Sequence, residues 1–380
     1  MVRLLAISLF ILFSTIGTTM AQGPVRPIGP PRAAKAPPPP PPAVGTVGML
    51  TGDVDSTGLR IASDLARVLD NGNELRIIPM AGKGSIQNIN DLINLKAVDI
   101  AIVQSDVLTR FAKISRQPGL QTHMQYVAKL YSEEFHVLSR MQFLCLQDLT
   151  GRRVSFGPKD SGMAITAETV FEANGIAVNP LYLDHEEAIE RLKRGELDAL
   201  VYVGGKPSRA LDKISHKDKV HFLDVEYLPG LQATYLPAIM TAEDYPGLVA
   251  PNESVGTIAV STVMVVQSLP PQSERFRILS RFTERFFASI DNFKTGSYSP
   301  KWREVDIRAP LKGWQRFQPA ERWLFANAEL RTEPVAAPGD QKLKTMVKKF
   351  VKSQRGSSAN QEELFNKFIR WYQQQNKPQH

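Results

Sequence analysis

Short, nearly uninterrupted apolar runs alternate along this chain with segments of helical periodicity, and that alternation constrains the fold more than any other feature. The runs VDIAIV at 98–103 and LDALVYV at 197–203 are typical of strands that are buried on both faces. Between such runs, apolar residues recur at helical spacing, as in 59–69, and helices end at glycines such as Gly175 and Gly195. Two sets of this pattern predict two α/β lobes with parallel sheets and right-handed crossovers.

The middle of the chain shows two further apolar segments that are too short for helices. They predict two separate strands at 127–130 and 135–139. Toward the C-terminal end, a helix containing Trp323 is predicted to close the globular part near Leu330.

The loops that follow the predicted strands are rich in Gly, Ser and Thr. In open α/β sheets ligands bind at this edge, and the free amides of a helix N-terminus favour anions there. Three of these loops also carry a lysine, namely Lys83, Lys159 and Lys206. We therefore predict a carboxylate ligand held by backbone amides, hydroxyls and one or more lysines. The alternative is that each lysine is a solvated loop tip.

Sequence motifs of enzymes are missing or fail on spacing. No GxSxG elbow surrounds Ser161, and the pair Gly205-Lys206 is followed by Pro207 rather than by the Ser or Thr of a phosphate-binding loop. The six histidines include no pair at metal-ligand spacing, so we expect structural or surface roles for them. The single cysteine, Cys145, lies in an apolar stretch and is predicted to be a small buried hydrophobe. We expect no catalytic residue, metal or cofactor, and a hydrolase is the least favoured alternative.

The formal net charge of +8 belongs to the two ends of the chain. Residues 44–330 hold 32 basic and 34 acidic side chains, whereas 1–43 hold four basic and no acidic ones. The remaining excess of positive charge lies in 331–380. A basic nucleic-acid-binding domain is therefore disfavoured, and nucleic acid is not an expected partner.

The N-terminal segment resembles an export signal followed by a spacer. Residues 1–21 combine Arg3, a short apolar stretch and small residues up to Ala21, which predicts export and cleavage near Ala21. Residues 22–43 are rich in proline and predict a semi-rigid spacer in the extended polyproline II conformation. A tether or a ligand for a partner protein is the alternative function of this linker.

The basic C-terminal extension at 331–380 predicts two amphipathic helices. Lysines flank apolar residues at helical spacing in its first part, and a second apolar stripe follows a Gly-Ser break. One interpretation is docking of 341–373 to an anionic membrane surface or a protein partner. The other is that both helices fold back on the body, since exposed apolar stripes seldom stay unburied.

Four stretches together resemble the TAXI-type solute receptors of TRAP transporters. The stretch 81–106 contains a Gly-Ser turn, an Asn-containing helix and a strand that ends in Gln-Ser-Asp. The stretches 149–162, 195–207 and 236–266 resemble the family's second-lobe loop, its Gly-Glu-x-Asp-Ala strand with a Gly-Gly-x-Pro loop, and its return strand. Met163 stands where that family usually has a threonine.

The resemblance covers about 44–310 and implies a type 2 periplasmic binding protein, an α/β fold with two lobes and a cleft between them. The implied organisation is a signal peptide at 1–21, a Pro-rich linker at 22–43, lobe 1 at 44–141 with its return part at 225–330, lobe 2 at 142–224 and a helical extension at 331–380.

Carried over position by position, the resemblance also implies a set of ligand contacts. They are Ser56, Thr57, Gly84, Ser85, Gln104, Ser105, Asp106, Ser161, Gly162 and Gly205. Asp106 either accepts a hydrogen bond from an ammonium or hydroxyl group or caps its helix.

The implied function is that of an exported receptor without chemistry. It captures a small anionic solute, carboxylate or amino-acid-like, by lobe closure and delivers it to the membrane permease subunits of a TRAP-type transporter. The alternative is a periplasmic sensor or scaffold component with the same fold, whose linker and tail bind partners.

Overall fold

The computed structural model describes residues 45–72, 74–114, 120–159 and 161–327. The predicted signal peptide at 1–21, the linker at 22–43 and the basic extension at 331–380 lie outside these residues. Within the described part of the chain, no helix combines the length and apolarity needed to cross a membrane.

Ten strands and nine α-helices lie in the described residues. The strands are β1 Gly45–Leu50, β2 Leu75–Met80, β3 Ile100–Gln104, β4 Met124–Arg140, β5 Arg153–Ser155, β6 Asn179–Leu181, β7 Ala199–Gly204, β8 Val220–Phe222, β9 Leu236–Thr241 and β10 Ser254–Gln267. The helices are α1 Thr57–Leu69, α2 Ser85–Asn94, α3 Ser105–Ile114, α4 Leu120–His123, α5 Gly162–Ala173, α6 His185–Lys193, α7 Glu274–Ala288, α8 Ile290–Lys294 and α9 Gln318–Ala326. The helix predicted around Trp323 is confirmed as α9.

One mixed sheet joins the strands, and its two halves repeat the same order. The half that we call lobe 1 runs β2-β1-β3-β10-β4, and the half that we call lobe 2 runs β6-β5-β7-β4-β10 from the opposite end. In each half, three parallel strands are followed by a long antiparallel strand that arrives from the other half. The predicted α/β fold with two lobes is therefore confirmed.

Two sequence predictions about the sheet were wrong. The strands expected at 127–130 and 135–139 form the single 17-residue strand β4, which passes from one lobe into the other. The sheet is also mixed rather than parallel, because β4 and β10 run antiparallel to their neighbours. Apolar periodicity reveals that a segment is a strand, but it does not reveal the direction of the partner strand.

Each lobe buries apolar side chains on both faces of its sheet. In lobe 1, Ile61 of α1 and Phe286 of α7 pack on one face, and Leu92 of α2 packs on the other. In lobe 2, Phe171 of α5 and Leu192 of α6 lie in two separate clusters. Each large apolar side chain buried in this way contributes about 1.5–3 kcal/mol, and the two layers fix the strand ends that carry the loops.

Cys145 lies on the surface, so the prediction that it is buried was wrong. It belongs to the turn that follows β4, where Phe143 and Leu146 take the inward positions. The apolar stretch is therefore only partly buried, because the adjacent Leu144 and Cys145 are exposed just before a short 3₁₀ helix that begins at Leu146.

Candidate functional site

A cleft of about 100 Å³ lies between the two lobes, at the carboxyl ends of their parallel strands. Four helices begin on its wall: α1 at Thr57 and α2 at Ser85 from lobe 1, and α5 at Gly162 and α6 at His185 from lobe 2. The first N–H groups of a helix have no partner inside it, and the helix dipole adds positive potential there. Both lobes therefore present N–H donors and positive potential to the same space.

Eight of the thirteen predicted ligand contacts line this cleft. They are Ser56, Thr57, Lys83, Gly84, Ser85, Gln104, Ser161 and Gly162. The other five do not line it: Ser105, Asp106, Lys159, Gly205 and Lys206.

Two capping serines differ in how much of their hydrogen-bonding capacity the protein uses. The Ser56 hydroxyl caps α1, accepting from the Leu59 N–H at 3.1 Å and donating to the Asp53 carbonyl at 2.7 Å. The Ser161 hydroxyl caps α5 and accepts from the Ala164 N–H at 3.1 Å. No acceptor among the described residues takes the Ser161 hydroxyl hydrogen, so this group can donate to a ligand.

The two lobes touch where α2 and α5 begin. A Cβ added to Gly162 would lie 2.1 Å from Gln104 Oε1 and 3.0 Å from Ser85 Oγ, so a larger residue fits only if the Gln104 side chain moves away from Gly162. Gly84 adopts a φ of +120°, a conformation that side-chain-bearing residues rarely take, and faces the Gly162 amide. The close approach of α2 and α5 in this structure therefore depends on glycine at this contact.

Asp106 ties one lobe to the other instead of lining the cleft. Its Oδ2 accepts hydrogen bonds from the Thr166 hydroxyl of lobe 2 at 2.7 Å and from the Tyr235 hydroxyl at 2.8 Å. Its Oδ1 accepts from the Val107 N–H at 2.7 Å, and burial raises the pKa of this carboxyl. Asp106 thus accepts from hydroxyls, but both hydroxyls belong to the protein, while Ser105 beside it begins α3.

The three loop lysines have three different environments. Lys83 lines the cleft with an exposed side chain, and Lys159 is exposed away from it. The Lys206 ammonium donates to the Asp244 carboxylate at 2.9 Å and to the Ile239 carbonyl at 2.6 Å. Lys206 therefore fixes the loop after β7 to neighbouring segments, and Gly204 rather than Gly205 lines the cleft at this loop.

The long strand β4 contributes cleft residues that the sequence analysis did not predict. Glu133 and Tyr131 line the cleft. The Glu133 carboxylate accepts from Gln104 Nε2 at 2.8 Å and from the Tyr131 hydroxyl at 3.2 Å. Burial raises the pKa of Glu133 to about 7. The sequence does contain a sign of this site: two adjacent glutamates lie between two apolar segments. Side chains alternate between the faces of a continuous strand, so one of the two glutamates must point to each face.

The sequence analysis expected structural or surface roles for the histidines, and His136 and His185 differ in whether they fit that expectation. His136 is structural, as predicted: it is buried, bonded to the Tyr245 hydroxyl at 2.7 Å, and burial lowers its pKa to about 4. His185 instead lines the cleft, where its Nδ1 lies 3.8 Å from Oδ2 of Asp53. Because Asp53 belongs to lobe 1 and His185 to lobe 2, this pair spans the two lobes.

A buried ion pair supports the place where β4 passes between the lobes. The Lys301 ammonium donates to the Glu134 carboxylate at 2.7 Å, and both side chains are less than 5% exposed. Lys301 also donates to Glu304 at 2.8 Å, and Glu134 accepts from the Lys206 N–H at 2.8 Å. Burial acts to lower the pKa of Lys301, but the two carboxylates outweigh it and raise that pKa.

The described residues hold no group of three or more His, Cys, Asp or Glu side chains that could bind a metal ion.

One protein-family model matches most of the chain. Residues 49–289 match the model of the NMT1-like family. The chain belongs to the NMT1-like family. Every residue that lines the cleft falls inside the matched range, whereas Lys301 lies beyond it.

Solved structures similar to this NMT1-like protein have low sequence identity to it. The alkanesulfonate-binding protein SsuA from Xanthomonas axonopodis pv. citri, bound to MOPS, is 13% identical over 81% of this chain and 93% of that one, with a TM-score of 0.43. An ancestral arginine-binding protein bound to arginine is 14% identical over 65% and 93% of the two chains, with a TM-score of 0.39. The effector-binding domain of QuiR in complex with shikimate is 12% identical over 64% and 97%, with a TM-score of 0.40.

Proposed function

We propose that this NMT1-like protein is a binding protein without enzymatic activity, which closes its two lobes on a small solute in the cleft. The observation that carries the proposal is the meeting of four helix N-termini around one space. Free N–H groups, the Ser161 hydroxyl and Lys83 all suit an acceptor group such as a carboxylate on the solute.

The serines at the starts of α2 and α5 also lack the arrangement that a nucleophilic serine needs. Neither Ser85 nor Ser161 donates its hydroxyl to a histidine or carboxylate among the described residues, so neither serine is activated as a nucleophile. Binding and release, without bond breaking, is the function that this geometry supports.

The cellular role that we propose is delivery. The sequence resemblance to TAXI receptors and the predicted signal peptide support export to the periplasm, cleavage near Ala21 and transfer of the solute to permease subunits of a TRAP-type transporter. The lobe boundaries predicted at 142 and 225 would then bracket the part that moves as lobe 2.

A thermal-shift screen with small carboxylates and amino acids tests the binding function. A solute at 100 times its dissociation constant stabilises the native state by about 2.7 kcal/mol, which is several degrees for a domain of ordinary size. No shift with any compound of a library spanning both classes would contradict the proposal.

Substitution Gly162→Ala then tests the cleft as the site. The new methyl group would meet Gln104 Oε1, so we expect the lobes to be held apart and the affinity for the hit compound to fall at least tenfold. Gly230→Ala is the matched control, because a Cβ there meets nothing within 4 Å. Equal affinities of the two variants in calorimetric titration would place the binding site elsewhere.

A further inference from the structure

The acceptor groups in the cleft carry information about the ligand that the helix N-termini do not. Gln104 is only 6% exposed, and its amide nitrogen is committed to Glu133 at 2.8 Å. This bond fixes the orientation of the amide, so its oxygen Oε1 points away from Glu133. That oxygen is buried and has no hydrogen-bond partner among the described residues.

The unpartnered oxygen lies at the contact between the lobes. A Cβ added to Gly162 would lie 2.1 Å from Gln104 Oε1, which places this oxygen at the start of α5. A buried carbonyl oxygen without a donor costs free energy, and a ligand donor that reaches it would remove that cost. The cleft therefore offers an unused acceptor beside its donors, which favours a ligand that both donates and accepts hydrogen bonds.

Glu133 adds a carboxylate without a cationic side chain bound to it. Within the described residues, Glu133 takes part in no salt bridge, and the nearby Lys301 is bound to Glu134 and Glu304. The Glu133 carboxylate accepts only from Gln104 and Tyr131. Each carboxylate oxygen can accept more than one hydrogen bond, so capacity remains for a ligand donor.

We propose that the ligand carries an ammonium group, which the Glu133 carboxylate and the Gln104 amide oxygen bind together. The inference rests on the proposed function of the cleft and narrows its substrate class to amino acids or similar zwitterions. The carboxylate of such a ligand faces the helix N-termini, and its ammonium faces β4. Glu133 is then the residue that selects an amino acid over the keto acid of the same shape.

The protonation of Glu133 links this selection to pH. Burial and the neighbouring Glu134 raise the pKa of Glu133 to about 7, while bonds from Gln104 and Tyr131 and the charge of Lys301 act to lower it. Tyr202 of β7 also faces this carboxylate. A protonated Glu133 loses its attraction for an ammonium, so affinity for an amino acid should rise as the pH goes from 6 to 8.

Matched ligand pairs test the proposal by isothermal titration calorimetry at pH 8. The probes are L-glutamate with 2-oxoglutarate and L-norvaline with 2-oxopentanoate, which differ only in the amino or keto group. We expect at least one amino acid to bind the intact protein at least 30-fold more tightly than its keto partner. Glu133→Gln should reduce that ratio to within about threefold, and Glu253→Gln, an exposed surface control, should leave it unchanged.

The outcomes separate this inference from the proposed function. The inference would be overturned if the keto acids bound as tightly as the amino acids. It would also be overturned if Glu133→Gln left the ratio of amino-acid to keto-acid affinity unchanged. Neither result would contradict the binding of a solute in the cleft. Failure of every small solute in the thermal-shift screen overturns the proposed function and, with it, the inference. An affinity for the amino acid that does not rise between pH 6 and 8 in the intact protein also counts against the inference.

Discussion

Lobe 1 and lobe 2 share a strand order but contribute unequally to the cleft. In each lobe, two helices begin at the cleft after parallel strands, and the long antiparallel strand comes from the other lobe. Lobe 1 and the crossing strand β4 supply most of the polar side chains, including Gln104, Tyr131 and Glu133. Lobe 2 supplies mainly the Ser161-Gly162 turn and His185.

This difference indicates a division of labour within a repeated architecture. The repeated order places helix N-termini on both sides of the cleft, which provides general affinity for an acceptor group. Selection among such solutes depends on side chains, and those lie on lobe 1 and β4. Under the proposed function, lobe 2 would serve chiefly to close over a ligand that lobe 1 recognises.

The largest effect that we expect comes from breaking the ion pair at the lobe crossing. Lys301→Met leaves the Glu134 carboxylate buried without its ammonium partner, which costs about 3–5 kcal/mol of unfolding free energy. Urea unfolding followed by circular dichroism measures the change.

Two further variants sharpen this measurement. The double variant Lys301→Met/Glu134→Gln removes the stranded charge and should regain more than half of the loss. Lys312→Met, at an exposed position, should change stability by no more than about 0.5 kcal/mol. A Lys301→Met cost as small as that of Lys312→Met would mean that the crossing does not depend on this ion pair.

Much of the fold could be predicted from the sequence, because local patterns determine it. The buried run at 98–103 and the glycine after α5 indicate their elements without knowledge of the rest of the chain. The antiparallel insertion of β4 and β10 could not be predicted, since it is set by pairing between residues more than a hundred positions apart.

The cleft was predictable only where its residues lie in strand-end loops. Ser85, Gln104 and Ser161 follow such strands, and the structure brings them together. Glu133 lies inside a strand, and only the crossing of β4 between the lobes turns it toward the cleft. Lys206 shows the converse, because its partner Asp244 is distant in sequence and holds it outside the site.

A smaller effect is expected from the Tyr235 hydroxyl, which donates to Asp106. Tyr235→Phe removes one donor from a buried carboxylate, and hydrogen bonds to charged groups are worth about 1.5–3 kcal/mol. Tyr227→Phe is the matched control, since its hydroxyl donates to a neutral carbonyl of Tyr235 at 3.0 Å, worth about 0.5–1.5 kcal/mol. Both are measured by chemical unfolding at pH 8.

The pH dependence gives this prediction a second readout. Burial raises the pKa of Asp106 in the folded state, so the folded protein holds that proton more tightly than the unfolded chain. Protonation at lower pH removes the charge that strengthens the Tyr235 bond, and the gap between the two variants should narrow on acidification. If the difference in unfolding free energy between the two variants stayed constant down to pH 4, the Tyr235 hydroxyl would not be binding a charged Asp106 carboxylate.

The smallest expected effect comes from the two capping serines, and it compares the contributions of the two lobes to ligand binding directly. Ser56 caps α1 in lobe 1 and Ser161 caps α5 in lobe 2, so replacing either with alanine should cost about 1 kcal/mol of unfolding free energy. Ligand affinity should respond differently. The Ser56 hydroxyl already donates to the Asp53 carbonyl, whereas the Ser161 hydroxyl hydrogen has no acceptor among the described residues.

Ser161→Ala should therefore weaken binding of the thermal-shift hit about three- to tenfold, the equivalent of one hydrogen bond, and Ser56→Ala by less than twofold. Calorimetric titration of both variants, after matching their folded fractions, measures the ratio. Equal losses of affinity would mean that lobe 2 donates nothing to the ligand beyond its backbone. Lobe 2 would then act as a lid whose contribution to binding comes from Gly162, the helix N-termini and the exclusion of water.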